Sequence, residues 1–161
     1  MAARCPLPAR ASFRDLLRDL LGRPVTVRPG PDLELDPDRM SYLSGFRFDD
    51  GEVAAIAVTD LDLSTAAGAA IGAMPPQETR QEVDAAGKLD GDLVEFMHEV
   101  INVASRLLNS PTTPHVVLRE FDPIPGEVAE DLAALATNPA VRHDWTVGVE
   151  GYGEGRITLL S

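Results

Sequence analysis

Apolar and polar residues sort most cleanly over residues 92–109, DLVEFMHEVINVASRLLN. At about 100° per residue, Leu93, Phe96, Met97, Val100, Ile101, Val103, Ala104, Leu107 and Leu108 gather in one wide arc. Glu95, His98, Glu99, Asn102, Ser105, Arg106 and Asn109 take the opposite arc. The spacing predicts a helix about 27 Å long. Its apolar side is broad enough to lie on a sheet, and its polar side is left to water.

Shorter patterns fill the rest of the chain. Ser12 is placed to cap a helix over 13–21 that stops at Gly22. A strand at 25–27 is cut off by Pro29-Gly30-Pro31, and an acidic loop follows at 32–38, with a strand fragment at 33–35. Two strands, 40–48 and 52–58, flank Asp49-Asp50-Gly51, where Asp-Gly offers the positive φ of a tight hairpin. Gly45 inside the first of them marks a bulge or a close backbone approach. Thr59 or Asp60 opens a helix at 61–74, ended by Pro75-Pro76. Gly68 and Gly72 share a face of it, which calls for close packing against another helix or the sheet. A polar helix is expected at 77–86, and Asp90 or Asp92 then caps the 92–109 helix. A strand at 115–121, a short helix at 127–136 and a terminal hairpin, 143–150 with 156–160, complete the order. Trp145, Val147 and Val149 fall on one face of that hairpin. Gly151, Gly153 and Gly155 read as its turn, since no helix follows to hold a phosphate at its N-terminus.

This order implies an α+β fold: a mostly antiparallel sheet covered by two long helices, in a single domain over 12–161. Residues 1–11, with two prolines and no periodicity, read as a flexible N-terminal arm.

Charge narrows the partners. The 161-residue chain carries a net charge of −12 and only 5% aromatic residues. Such a surface repels nucleic acid and anionic membranes and suits a partner that presents Lys or Arg. Cys5 is the single cysteine, so an internal disulfide and a multi-thiolate zinc site are both excluded. With no apolar run near 18 residues and no signal-peptide core, the expected location is the cytoplasm.

The polar arc of residues 92–109 holds the candidate chemistry. Glu95, Glu99 and Asn102 stand at i, i+4 and i+7, one ridge over two turns. Here the chain resembles the CheC/CheX family of chemotaxis phosphatases. That family's signature is an acidic residue or Ser, three residues, Glu, two residues, Asn, on a long exposed helix. The element order over 12–161 is similar to the family's, and 43–74 looks like its strand–turn–strand–helix lead-in. A single motif-bearing helix is closer to CheX than to CheC, which usually carries two. Two positions depart from the pattern: Glu95 stands where Asp or Ser is usual, and Arg106 where Gly is usual.

The resemblance implies removal of phosphate from the aspartyl-phosphate of a response-regulator receiver of the CheY type. Asn102 would insert toward the phosphoryl group and position the attacking water. Glu99 would pair with the receiver's lysine and Glu95 would add a second anchor; His98 and Arg106, on the same face, are this chain's own candidate partner contacts. It implies no cofactor or metal held by this chain, with Mg2+ on the receiver, and allows a homodimer through sheet edges or helices. The alternative is a non-catalytic module of the same fold that docks a receiver or a motor-switch partner. Arg106 bears on that choice, since it would obstruct the receiver or pair internally with Glu99.

Plainer readings of the same residues stand beside these. Glu95 could form a capping box with Asp92, and Glu99 could only solubilise the helix. Asn102 gains nothing mid-helix by propensity. Glu95-x-x-His98 matches half of a di-iron motif, but the second half is absent, and His115 and His143 have no evident relation to it.

Overall fold

In a computed structural model of the chain, residues 5–161 are described. Five helices and six strands run in the order α1 (Arg10–Leu21), β1 (Val25–Pro29), β2 (Ser41–Phe48), β3 (Val53–Thr59), α2 (Leu61–Ile71), α3 (Pro76–Ala86), α4 (Gly91–Ala104), β4 (Val116–Ile124), α5 (Glu130–Thr137), β5 (Arg142–Val149) and β6 (Gly153–Leu160). A 3-10 turn, Ser105–Leu108, continues α4. The strands form one antiparallel sheet in the order β1-β5-β6-β3-β2-β4. The chain is a single α+β domain.

Strand side chains alternate between the two faces of a sheet, and here each face has its own apolar cover. Tyr42, Phe46, Ala55, Ala57, Trp145, Val147, Ile157 and Leu159 belong to the main core with α1, α2 and α4. Leu43, Ile56, Val58 and Leu160 face the other way, onto fully buried Leu132 of α5. The expected bulge is present: the pairing of β2 shifts register between Gly45 and Phe46 on the β4 side and between Phe46 and Arg47 on the β3 side. A Cβ at Gly45 would meet the Glu120 carboxylate at 2.7 Å.

The small residues of α2 act as the spacing predicts. Nine of its residues are buried, and a Cβ at Gly68 would touch Leu93 of α4 at 3.4 Å. Just past α2, the Phe96 ring lies over Gly72. Gly155 of β6 lets the first turn of α2 sit on the sheet, since a Cβ there would collide with the Leu63 amide and Asp60.

Several boundaries move. Helix α1 starts at Arg10, with Ala9 in the capping position and no side-chain cap, so Ser12 lies inside the helix. Cys5 is 1% exposed and packs into the main core, which extends the folded part back past the expected arm. Residues 1–4 of that arm lie outside the described residues. Burial pushes the Cys5 thiol up to about 11, which keeps it from acting as a nucleophile at neutral pH. Residues 33–35 form no strand; the acidic loop holds only an isolated bridge between Asp36 and Arg39. No helix among the described residues is long and apolar enough to cross a membrane.

Candidate functional site

Helix α4 is fixed from below. Leu93, Met97, Val100 and Ile101 are each 3% exposed or less, and burial of such side chains stabilises by about 2 kcal/mol apiece. Asp90 caps the helix by accepting the Leu93 amide at 2.9 Å. Asp92 therefore sits within the first turn, and the capping box that would have explained Glu95 is not formed. The helix cannot rotate without exposing its apolar stripe, so the outward face is set by the inward one.

That outward face carries Glu95, His98, Glu99, Asn102 and Arg106, all exposed. Among the described residues, the side chains of Glu95, Glu99, Asn102 and Arg106 make no hydrogen bond or ion pair. The pairing of Arg106 with Glu99 expected as one outcome is thus not present. His98 has a neighbour: its ring meets the edge of Phe121 on β4 at 5.9 Å, and Phe121 stacks on Tyr42 at 5.4 Å. This links the ridge to the edge of the sheet.

The end of α4 differs from the simple wheel. Ser105 and Asn109 belong to the polar arc by angle, yet Ser105 is buried and Asn109 half-buried. The Ser105 hydroxyl donates to the Asn102 carbonyl. The Asn109 amide nitrogen donates to the Ser105 carbonyl at 3.2 Å and the Val116 carbonyl at 2.9 Å, while its oxygen accepts the Val116 amide at 2.8 Å. The helix tightens into 3-10 geometry at Ser105 and is clasped to the start of β4. Asn102 therefore stands on the last complete α-turn before a pinned end.

The three histidines do not converge. His115 pairs with Asp49 at 3.0 Å, and His143 stacks on Trp145 at 5.5 Å. No group of three or more His, Cys, Asp or Glu among the described residues could hold a metal. The ridge projects outward, and a polar cleft lies elsewhere, lined by Arg28, Asp60, Asp62, Thr146 and Arg156. A projecting, polar helix face is suited to insertion into another molecule's site rather than to enclosing a small ligand.

No family model matches the sequence, and no curated protein matches it. Solved structures do share its fold. A chain of the CheX-CheY-BeF3-Mg+2 complex from Borrelia burgdorferi superposes with a TM-score of 0.52 at 13% identity, covering 92% of both chains. Thermotoga maritima FliY superposes with a TM-score of 0.57 at 16% identity, covering 95% of this chain and 83% of that one. A chain of the FliG-FliM complex from H. pylori gives 0.59 at 8% identity, covering 93% and 84%. At such identities the likeness is one of architecture. The antiparallel α+β arrangement is the one shared by these CheX, FliY and FliM structures.

Proposed function

We propose that the chain is a CheX-like phosphatase acting on the aspartyl-phosphate of a CheY-type receiver. The observation that carries this reading is that the side chains of Glu99 and Asn102 stand side by side on one exposed face of α4 and make no hydrogen bond or ion pair among the described residues. The fold shared with the CheX complex supports it.

The chemistry follows from what such a receiver site lacks. Water attacks phosphorus, the bond between phosphorus and the aspartyl oxygen breaks, and its electron pair stays on the carboxylate. The protons of the water end on the released phosphate. The Mg2+ that offsets the phosphoryl charge belongs to the receiver. What must be added is a group that holds the water in line. The Asn102 amide can accept from that water through its oxygen and donate to a phosphoryl oxygen through its nitrogen, without titrating. Glu99, one turn earlier, pairs with a receiver lysine and sets the depth of insertion. Glu95 and His98 contact the receiver further along the ridge.

The test is phosphate release from a phosphorylated CheY-type receiver. The wild-type chain should accelerate release, and Asn102→Ala should lower the rate by on the order of 100-fold with receiver affinity nearly unchanged. Glu99→Ala should weaken binding as well as rate. Binding without acceleration by the wild type would instead establish the second reading, a docking module that hydrolyses nothing. The fold shared with a chain of the FliG-FliM complex favours that alternative.

A further inference from the structure

Arg106 lies four residues beyond Asn102, across the change from α to 3-10 geometry. A 3-10 residue rises about 2.0 Å and turns about 120°, against about 1.5 Å and 100° in the α-helix. Arg106 is therefore about 7 Å along the axis from Asn102 and turned to its side. A guanidinium on its three-carbon stem spans that distance. The 3-10 turn that carries it is pinned by Asn109 to β4, so the base of the side chain is fixed.

The guanidinium is exposed and without a partner among the described residues. Arg28, Arg39, Arg47, Arg80 and Arg142 each hold a carboxylate of this chain. Arg106 does not, and among the described residues neither do Arg10, Arg119 and Arg156; of these, Arg106 is the one carried on the ridge, where Glu99 shares its side of the helix and the net charge is −12. A ridge that served only to meet a basic surface would have no use for a cation there. An anion supplied by the partner, close to where Asn102 points, accounts for it.

We propose that Arg106 is a phosphoryl-binding residue of this ridge. It grips the peripheral oxygens of the aspartyl-phosphate beside Asn102 and makes the chain prefer the phosphorylated receiver; this rests on the receiver reading given above. Two parallel N–H donors of the planar fork match two phosphoryl oxygens. In the loose transition state those oxygens carry most of the charge, so the same grip accelerates cleavage of the bond between phosphorus and the aspartyl oxygen. Arg106 neither gives nor takes a proton. It also offsets the repulsion that Glu95 and Glu99 exert on an incoming phosphoryl group.

The experiment uses the full chain, Arg106→Ala, Arg106→Lys and, as a control of equal charge change on a different helix, α1, Arg10→Ala. The probe is a CheY-type receiver, either uncharged or charged with beryllofluoride and Mg2+, with affinity measured for both forms and phosphate release measured for the phosphorylated one. Wild type and Arg10→Ala should favour the charged form by about tenfold or more, as expected of charge-assisted hydrogen bonds. Arg106→Ala should reduce that preference to about twofold or less, leave affinity for the uncharged form unchanged, and slow release by about tenfold or more. Arg106→Lys should fall between. A preference that survives in Arg106→Ala, faster release by that variant, or an equal loss in Arg10→Ala would overturn the proposal. A wild type that binds both forms equally would overturn it too, and one that binds neither would remove the receiver reading with it. A wild type that prefers the charged form but releases no phosphate would end the phosphatase reading alone and leave Arg106 in its place.

Discussion

Arg47 shows how a single side chain secures a layer. It is 15% exposed, donates to Glu120 at 2.6 Å, and reaches Asp131 at the start of α5. Arg47→Ala leaves Glu120 beside Asp122 with no counter-charge, and should cost about 2 kcal/mol, a fall in Tm of about 4–8 °C in thermal melts. Asp131→Asn should be milder, about 2 °C, because that carboxylate is half exposed. The hydrogen bond from Arg47 holds the Asp131 carboxyl below its usual 3.8. A lowered carboxyl stabilises the fold above its unfolded value and ceases to do so as pH falls through the folded one. The gap in Tm between wild type and Asp131→Asn should therefore close as the pH is taken below 3.8, and a gap that stays constant would contradict the assignment. At this scale the sequence reads unevenly. Glu99 and Asn102 can be found from spacing on one helix. Asn109 and Arg47 cannot, because their partners lie on Val116 and on Glu120 and Asp131, at positions only the folded sheet brings near.

Elements are set by patterns that survive without tertiary knowledge, and their limits are not. The apolar arc of residues 92–109 is long enough to identify α4, and Asp49-Asp50-Gly51 between two strand-like runs identifies the β2–β3 hairpin. The switch to 3-10 geometry at Ser105 is invisible in that arc, since it depends on Asn109 reaching β4. The start of α1 is missed for a related reason: no side chain caps it, so Ser12 drew the boundary inward. Two glycines, one expected in a helix and the other in a turn but found within β6, have opposite standing once packed. Gly155 has the α2 backbone against it, so Gly155→Ala should lose about 3 kcal/mol or more, read as a lowered denaturant midpoint. At Gly68 an added Cβ makes an ordinary contact at 3.4 Å. Gly68→Ala gains up to about 1 kcal/mol of helix propensity and should leave the midpoint unchanged or raised.

At the scale of the whole molecule, net charge and the exposed ridge act together. A chain of net charge −12 approaching a partner lysine is steered by its long-range field. Raising salt should slow association with a CheY-type receiver by about tenfold between low and high ionic strength, with a smaller effect on dissociation. Stopped-flow binding at several salt concentrations measures this directly, and a salt-independent association rate would contradict electrostatic steering.

The two central helices of the main core are unequal. Helix α4 presents a full face to solvent, whereas α2 has nine buried residues and leaves only Asp62 and Ile71 half-covered. A molecule with one helix sealed and its neighbour open has room for one guest at a time. Titrated with a receiver, it should saturate at a single equivalent per chain, and a bound receiver should shut out the next.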